Sequence, residues 1–182
     1  MHYHILHWAE PHAKIRLMFQ DEAAFGRISE LSRCWAPQGV RPLVPYHVVR
    51  EHVQVYGAVD PIDGDKWFII APKCNTAWMN IFLETLSKRF EKDYILLVMD
   101  NASWHKSKSL RIPDNIRPFY LPPRTPEMNP IEQVWPKVRH DFKNKLFRSL
   151  SDVIDRLCLS LNNLTNSALN SITCRNWIYD VF

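Results

Sequence analysis

The sequence predicts a mixed α/β fold in which helices pack on a five-stranded sheet. Three patterns carry this prediction: short β-forming runs bounded by turn residues, one run that is apolar throughout, and apolar residues at helical spacing. The unbroken apolar run is typical of a strand that is covered on both faces. Because strands predominate early and helices follow, we expect the sheet and the helices to form the layers of one domain.

The first half of the chain supplies three of the predicted strands. They span residues 14–20, 53–59 and 67–70, where β-branched and aromatic residues are enriched. Residues 60–65 join the last two strands and contain an Asp-Gly pair, which is typical of a hairpin turn. Prolines and glycines interrupt residues 23–52, so this segment is expected to be irregular.

The second half of the chain supplies two more strands and the helices. Residues 76–90 place apolar side chains on one face of an amphipathic helix. The unbroken apolar run covers residues 94–99, and a fifth strand is predicted at 116–121. A proline-rich loop follows, and the periodicity then predicts helices at 130–147 and 150–169.

Composition narrows the class of protein. The chain has 182 residues, of which 46% are hydrophobic and 23% charged, as in an ordinary globular domain rather than a disordered chain. Its apolar runs are too short to cross a bilayer and the first residues lack a signal-peptide pattern, so no membrane association is expected. Four widely separated cysteines without a CxxC pair predict a reduced, cytoplasmic protein without a zinc finger.

Positive charge is concentrated in one stretch of the sequence. The net charge is only +4, yet residues 103–148 carry 10 basic and 4 acidic side chains, a local charge of +6. A polyanion such as nucleic acid is therefore expected to bind at this stretch. The alternative is a basic face that is merely solvated.

Three carboxylates occupy positions from which they can converge. Asp21 closes the first predicted strand, and Asp100 closes the buried strand, so both can lie at one edge of the sheet. Glu132 begins a helix whose first turn can cross that edge. Two aspartates and a glutamate form a site of hard oxygen ligands suited to Mg²⁺ or Mn²⁺. Two such ions, about 3.5–4 Å apart, support phosphoryl transfer.

Each of these carboxylates also has a structural interpretation. Asp21 and Asp100 can serve as turn or cap residues at strand ends. Asn129, Pro130 and Glu132 match a capping box with proline at the first helical position. Glu22 follows Asp21 directly and is expected on the opposite face of its strand, without a share in the site.

The residues around the carboxylates resemble those of the mariner-type DDE transposases, in their bacterial insertion-sequence branch. The first carboxylate lies in residues 19–22 (FQDE), followed by residues 33–39 (RCWAPQG). The second lies in residues 99–106 (MDNASWHK), and the third in the long and specific motif of residues 120–135 (YLPPRTPEMNPIEQVW). The resemblance covers about residues 14–147, most of the chain.

This resemblance implies an RNase H-like fold, a pair of Mg²⁺ or Mn²⁺ ions, and the cleavage and joining of DNA strands. The positions that match the three catalytic, metal-binding carboxylates of the family are Asp21, Asp100 and Glu132. The positions that match polar residues flanking the site are Asn101, His105 and Asn129. Pro136 departs from a regular helix, because it removes a backbone bond to the carbonyl of Glu132, and is expected to kink it.

The basic stretch brackets these motifs. We expect its cations to flank the metal site and bind DNA phosphates. The candidate DNA-binding residues are Lys106, Lys108, Arg124, Lys137, Arg139, Lys143 and Lys145. Tryptophans such as Trp78, Trp104 and Trp135 lie among apolar neighbours and are expected in the core rather than stacked on bases.

The resemblance also implies an organisation and a set of partners. Residues 14–148 form the catalytic domain, residues 1–13 a lead-in, and residues 149–182 a helical segment packed on the same domain. Because family members carry helix-turn-helix domains ahead of the catalytic domain, we expect a homodimer or a partner that carries such a domain. Transposon ends and target DNA are the expected ligands, which places the protein at the nucleoid.

Two other functions fit the same residues. One is an inert, truncated transposase that binds DNA or a full-length partner. The other is an RNase H-like nuclease that hydrolyses nucleic acid without joining strands.

Overall fold

A five-stranded sheet forms the centre of the protein in its computed structural model, which describes residues 14–123 and 125–179. The strands are β1 (Lys14–Ile28), β2 (Val48–Val59), β3 (Lys66–Ala71), β4 (Asp93–Met99) and β5 (Ile116–Tyr120). The lead-in predicted at residues 1–13, Arg124 and residues 180–182 lie outside the described residues.

The sheet is mixed, in the order β3-β2-β1-β4-β5. β1 pairs antiparallel with β2, and β2 pairs antiparallel with β3 through the predicted hairpin. On its other side β1 runs parallel to β4, and β4 runs parallel to β5. The mixed five-stranded sheet predicted from the sequence is therefore confirmed.

The first strand is longer than the sequence indicates. β1 continues to Ile28 and β2 already begins at Val48, so the prediction of an irregular segment over residues 23–52 is wrong at both ends. The added length is stabilised by pairing between the strands and by burial of Phe25, which lies opposite Val53. Gly26 permits the close approach, since a Cβ there would lie 2.5 Å from the carbonyl oxygen of Glu51.

The helices cover both faces of the sheet. Within the described residues, one helix precedes β4 and four follow β5 along the chain. They are α1 (Thr76–Arg89), α2 (Val134–His140), α3 (Leu150–Asn162), α4 (Asn166–Thr173) and α5 (Asn176–Tyr179). The helix predicted at residues 76–90 is thus confirmed, whereas the two long C-terminal helices are each interrupted.

Local contacts explain both interruptions. The helix predicted at residues 130–147 ends at His140, because Asn144 adopts a left-handed conformation and its N–H donates to the carbonyl of Glu30, just beyond β1. The helix predicted at residues 150–169 stops at Asn162, and Thr165 begins α4 by accepting a hydrogen bond from the N–H of Ala168. A strand contact and an N-cap therefore override the helical periodicity.

Two apolar clusters fill the faces of the sheet. Alternate residues of β1 enter different clusters: Phe19 faces α2 and α3, whereas Met18 faces α1. From α3, Val153 and Leu157 are fully buried in the first cluster, together with residues of β1 and β2.

Two further observations concern membrane-spanning segments and the state of the cysteines. In the described part of the chain, no helix is long and apolar enough to cross a membrane. The four cysteines are free thiols.

Candidate active site

Asp21 and Asp100 lie side by side at one end of the β1–β4 pair. The parallel register ends with Phe19 opposite Val98, and each aspartate lies two residues further along the chain, Asp21 within β1 and Asp100 directly after β4. Asp21 was predicted to close β1, but it lies within the strand, just beyond its last pair with β4. Because both aspartates keep the alternation of Phe19 and Val98, they project on the α2 face of the sheet.

Glu132 is held over the same end of the sheet by contacts on either side of it. It belongs to a 3₁₀ turn (Pro130–Gln133) that leads into α2. Before it, Nδ2 of Asn129 donates to the carbonyl of Gln20 at 2.9 Å. After it, Nε1 of Trp135 donates to Oδ2 of Asp21 at 2.7 Å. The segment that carries Glu132 is thus bonded to β1 at and beside Asp21.

The capping-box interpretation of Glu132 is wrong. Asn129 makes no side-chain bond to the start of the turn, because its amide is directed at Gln20. Within the described residues, the Glu132 carboxylate receives no hydrogen bond. The expected effect of Pro136 appears as a change from 3₁₀ to α geometry at Gln133, ahead of α2, rather than as a kink within a longer helix.

One pocket of about 380 Å³ brings the three carboxylates together. Its described lining residues include no lysine or arginine. Asn101 also lines the pocket and donates to the carbonyl of Leu121, which ties the end of β4 to the proline-rich loop. The described lining of the pocket therefore presents three acidic groups and no lysine or arginine beside them.

The electrostatics of the pocket follow from this crowding. Burial, together with the negative charges of Glu22 and Glu132, raises the pKa of Asp21 to about 7, although the hydrogen bond from Trp135 lowers it. Burial also raises the pKa of Glu132, and the charge of Asp100 adds to this effect. A cation bound in the pocket would relieve this repulsion.

Asp100 differs from the other two carboxylates because it has a basic neighbour. Nδ1 of His105 lies 2.9 Å from Oδ1 of Asp100, and this hydrogen bond lowers the pKa of the carboxyl group. Burial lowers the pKa of His105, but hydrogen bonds with Asp100 and Glu22 outweigh this effect and raise it to about 9. These two carboxylates thus favour the protonated form of the imidazole.

Glu22 lies on the opposite face of β1 from the pocket, as predicted. Its Oε1 accepts hydrogen bonds from Nε1 of Trp104 at 3.2 Å and from Nε2 of His105 at 2.9 Å. Sequence reasoning set Glu22 aside and placed Trp104 and Trp135 in the core, and so missed these contacts. The signal available was the indole N–H, which needs an acceptor when the ring is buried near carboxylates.

The donor set fits a hard divalent cation, although it is not gathered around one point. Within residues 14–123 and 125–179, no three His, Cys, Asp or Glu side chains lie close enough together to hold one metal ion. The pocket nevertheless offers three carboxylates, and Oδ1 of Asn129 is buried there without a hydrogen-bond partner in the described part of the chain. These are the oxygen ligands that Mg²⁺ and Mn²⁺ prefer.

Among the described candidates for DNA binding, five lysines are exposed, whereas one arginine is bound within the protein. The exposed ones are Lys106, Lys108, Lys137, Lys143 and Lys145, whereas Arg124 lies outside the described residues. Arg139 instead binds Glu30 at 2.8 Å and the carbonyl of Ala24 at 2.9 Å, with its guanidinium over the ring of Phe25. Contact with DNA remains a prediction for all seven.

Two of these lysines lie elsewhere than the sequence predicts. Lys143 and Lys145 were placed on the helix that carries Glu132, but α2 ends at His140. Both lie in the segment that leads from α2 to α3.

Known proteins resemble this chain in sequence and in fold. It is 33% identical over 129 residues to the uncharacterized protein y4pE/y4sA of Sinorhizobium fredii. The aligned residues cover 69% of this chain and 96% of that protein. The structure superimposes on the Mos1 strand transfer complex (TM-score 0.67, 15% identity, 86% of this chain) and on the Mos1 mariner paired end complex with Mn (TM-score 0.66, 15% identity, 86% of this chain).

The structural matches confirm the predicted RNase H-like fold. The chain spans about half the length of the Mos1 transposase chains that it matches. Residues 16–154 match the family described as DDE superfamily endonuclease. The family match extends over more than half of the chain, and the match to y4pE/y4sA at 33% identity covers 96% of that relative. The chain therefore belongs to the DDE superfamily endonuclease family.

Proposed function

We propose that the chain is the catalytic domain of an insertion-sequence DDE transposase, which cleaves DNA strands and joins them to target DNA. The observation that carries this proposal is the convergence of Asp21, Asp100 and Glu132 on one pocket, from three separate elements. In this proposal residues 14–148 form the catalytic domain, and residues 149–182 pack on it.

The three carboxylates would hold a pair of Mg²⁺ or Mn²⁺ ions. Ions held by these residues would supply Lewis-acid chemistry, the activation of a water or hydroxyl and stabilisation of the leaving oxygen of a phosphodiester. Asn129 and Trp135 keep the segment of Glu132 against β1, while Trp135 orients the carboxylate of Asp21. The Mn of the Mos1 paired end complex supports this choice of ions.

DNA is the proposed substrate. The Mos1 strand transfer complex supports it by analogy, and the exposed lysines of residues 106–145 supply positive charge for contacts with phosphates. Acting on chromosomal and transposon DNA, the protein would be found at the nucleoid.

The proposed partner is a second copy of this chain or a protein that carries a helix-turn-helix domain. The segment between β1 and β2 supports an association, because large apolar side chains lie exposed on it. Trp35 and Leu43 are almost fully exposed, and Leu31 is more than half exposed. Burial of these side chains against a partner would remove them from water.

The direct test is nicking of supercoiled plasmid DNA by the purified chain in Mg²⁺. We expect nicking that EDTA abolishes, and none from Asp100→Asn, which should remain folded because the Asp100 side chain is half exposed. Asp114→Asn is the matched control, since Asp114 is an exposed aspartate outside the pocket and should leave nicking unchanged.

The same assay separates the alternatives. An inert remnant would bind DNA without nicking it, and Asp100→Asn that nicks as fast as the parent would contradict the proposed mechanism. Strand-transfer products from a pre-cleaved end with a free 3′-hydroxyl distinguish a transposase from a nuclease that only hydrolyses.

A further inference from the structure

Glu22 is a buried carboxylate that the proposed chemistry does not use. Its side chain is only 8% exposed and lies on the face of the sheet opposite the pocket. Leaving such a group unpaired would be costly, and two rings, those of Trp104 and His105, bind the same oxygen, Oε1. This carboxylate therefore has an arranged set of partners.

His105 connects Glu22 with Asp100. Its fully buried ring lies with Nε2 2.9 Å from Oε1 of Glu22 and Nδ1 2.9 Å from Oδ1 of Asp100. The 3₁₀ turn that carries it (Ser103–Lys106) is tied to β5, because the hydroxyl of Tyr120 donates to the carbonyl of His105 at 2.8 Å. The ring is thus fixed at both nitrogens and through its backbone.

These contacts occupy one oxygen of Asp100 and leave the other. Oδ1 accepts from the N–H of Ala102 at 2.9 Å in addition to its contact with His105. Oδ2 receives no hydrogen bond within the described residues, and the Asp100 side chain remains 55% exposed. Two contacts on Oδ1 set the rotation of the carboxylate at the pocket.

We propose that Glu22 and His105 are positioning residues, which hold Asp100 from behind the sheet so that its second oxygen is available to a metal ion. This inference rests on the proposed function, since it concerns the metal site of that function. Partners of a metal-binding side chain typically change metal affinity by about 10- to 100-fold. Glu22 reaches Asp100 only through His105, so its effect on Asp100 depends on the presence of that ring.

The test is Mn²⁺ binding to the DNA-free chain, measured by titration calorimetry on Glu22→Ala, His105→Ala and the double variant. Each single variant should bind Mn²⁺ at least about tenfold more weakly than the parent. Adding Glu22→Ala should weaken Mn²⁺ binding less in the His105→Ala background than in the parent, because removal of the ring already disconnects Glu22 from Asp100.

A control separates positioning from general loss of stability. Asn115→Ala removes side-chain bonds to the carbonyls of Phe90 and Asp93 at the other end of β4. It should be destabilised in urea yet bind Mn²⁺ as the parent does.

A second pair of variants covers the case in which the alanine variants do not fold. The amide nitrogen of Asn reproduces Nδ1 of a histidine, and that of Gln reproduces Nε2. His105→Asn therefore keeps the bond to Asp100 and should bind Mn²⁺ about tenfold more tightly than His105→Gln, which keeps only the bond to Glu22.

Three results would overturn the inference, and they are distinguishable. Glu22→Ala that binds Mn²⁺ as tightly as the parent, or equal affinities for His105→Asn and His105→Gln, would refute the positioning role alone. A parent chain that neither binds Mn²⁺ nor nicks DNA would refute the proposed function and this inference with it.

Discussion

At the scale of single residues, Trp135 joins the apolar core to the candidate site. Its ring is 7% exposed and lies edge-on to Phe25 and Phe68, with centroid distances of 6.3 and 6.1 Å. The indole N–H donates to Oδ2 of Asp21. One side chain thus fixes the direction of a proposed metal-binding carboxylate by packing on one side and a hydrogen bond on the other.

We predict that Trp135→Phe is destabilised and that the pKa of Asp21 rises further. The variant loses a hydrogen bond to a charged acceptor and leaves part of a buried cavity empty, a loss of about 2–3 kcal/mol in the free energy of unfolding. Urea denaturation measures this loss. Trp78→Phe is the control, because the half-buried Trp78 ring shows no indole hydrogen bond in the described residues, and a loss as large as that of Trp135→Phe would contradict the prediction.

Arg16 is the second residue with a large expected effect, at the other end of β1. It is 6% exposed, and its guanidinium binds Asp60 at 2.9 Å, Asp65 at 2.7 Å and Asp93 at 2.8 Å. The Asp residues of the β2–β3 hairpin are thus explained by a buried ion-pair network.

Arg16→Met should destabilise the protein by about 3–5 kcal/mol, because it leaves Asp60 buried without its cation. Chemical denaturation of Arg16→Met and of Arg16→Met/Asp60→Asn measures the effect. The double variant should recover part of the loss, and a further loss instead would show that the unpaired charge is not the cause.

The sequence alone predicted the positions of those carboxylates that lie at the end of a predicted strand. Asp21 and Asp100 were predicted together because each follows a predicted strand, and neighbouring strands of one sheet can place both carboxylates at one edge. Glu22, Trp104 and Trp135 were not predicted as site residues, since their bonds join positions 82 to 114 residues apart. Only the packed structure specifies such pairs.

At the scale of elements, α3 shows a capping box that fixes where the C-terminal helices begin. The N–H of Asp152 donates to the Ser149 hydroxyl, and the N–H of Ser149 donates to the Asp152 carboxylate, each at 3.1 Å. Hydrogen bonds from Ser149 lower the pKa of Asp152. The carboxylate form thus stabilises the cap.

Ser149→Ala should cost about 1 kcal/mol of stability at neutral pH. Because the folded state lowers the pKa of Asp152, its contribution is present above the ordinary aspartate pKa of about 4 and is lost as the pH falls below it. The difference between Ser149→Ala and the parent should therefore shrink below that pH.

Thermal or urea unfolding at neutral and acidic pH checks this prediction. Ser151→Ala serves as the control, since Ser151 is exposed in the first turn of α3 and makes no cap bond. A difference that stays constant with pH would mean that Asp152 does not act through the cap.

Elements were predictable where local pattern and tertiary pairing agree. Apolar periodicity marks α1, and the Asp-Gly turn marks the β2–β3 hairpin. The second half of β1 carries weak β-forming residues and becomes a strand through its pairing with β2. The left-handed Asn144 ends the helix of residues 130–147 through a contact with the end of β1, which periodicity does not report.

At the scale of the whole molecule, the exposed lysines of the basic stretch are not among the described residues that line the acidic pocket. The basic stretch of residues 103–148 supplies exposed lysines beyond both Asp100 and Glu132, whereas the described pocket lining carries none. This arrangement suits a substrate with a polyanionic backbone, which the lysines can bind. It also suits a reaction centre in the pocket that depends on a bound cation.

Charge reversal of Lys143 and Lys145 should weaken DNA binding and flatten its dependence on salt. If each lysine neutralises one phosphate, the slope of log affinity against log salt falls by about 2 in Lys143→Glu/Lys145→Glu. Fluorescence anisotropy with a duplex oligonucleotide at several salt concentrations measures the slope. Lys92→Glu, an exposed lysine next to the start of β4, should leave it unchanged, and an unchanged slope in the double variant would refute the prediction.

The most direct test of the proposed metal-dependent site is the nicking rate of Glu132→Gln in Mg²⁺. The Glu132 side chain shows no hydrogen bond in the described part of the chain, so this variant should unfold as the parent does and yet fail to nick DNA. Glu127→Gln, five residues earlier and exposed, should retain both stability and nicking. A Glu132→Gln variant that nicks DNA at the rate of the parent would contradict the assignment of Asp21, Asp100 and Glu132 as the catalytic carboxylates.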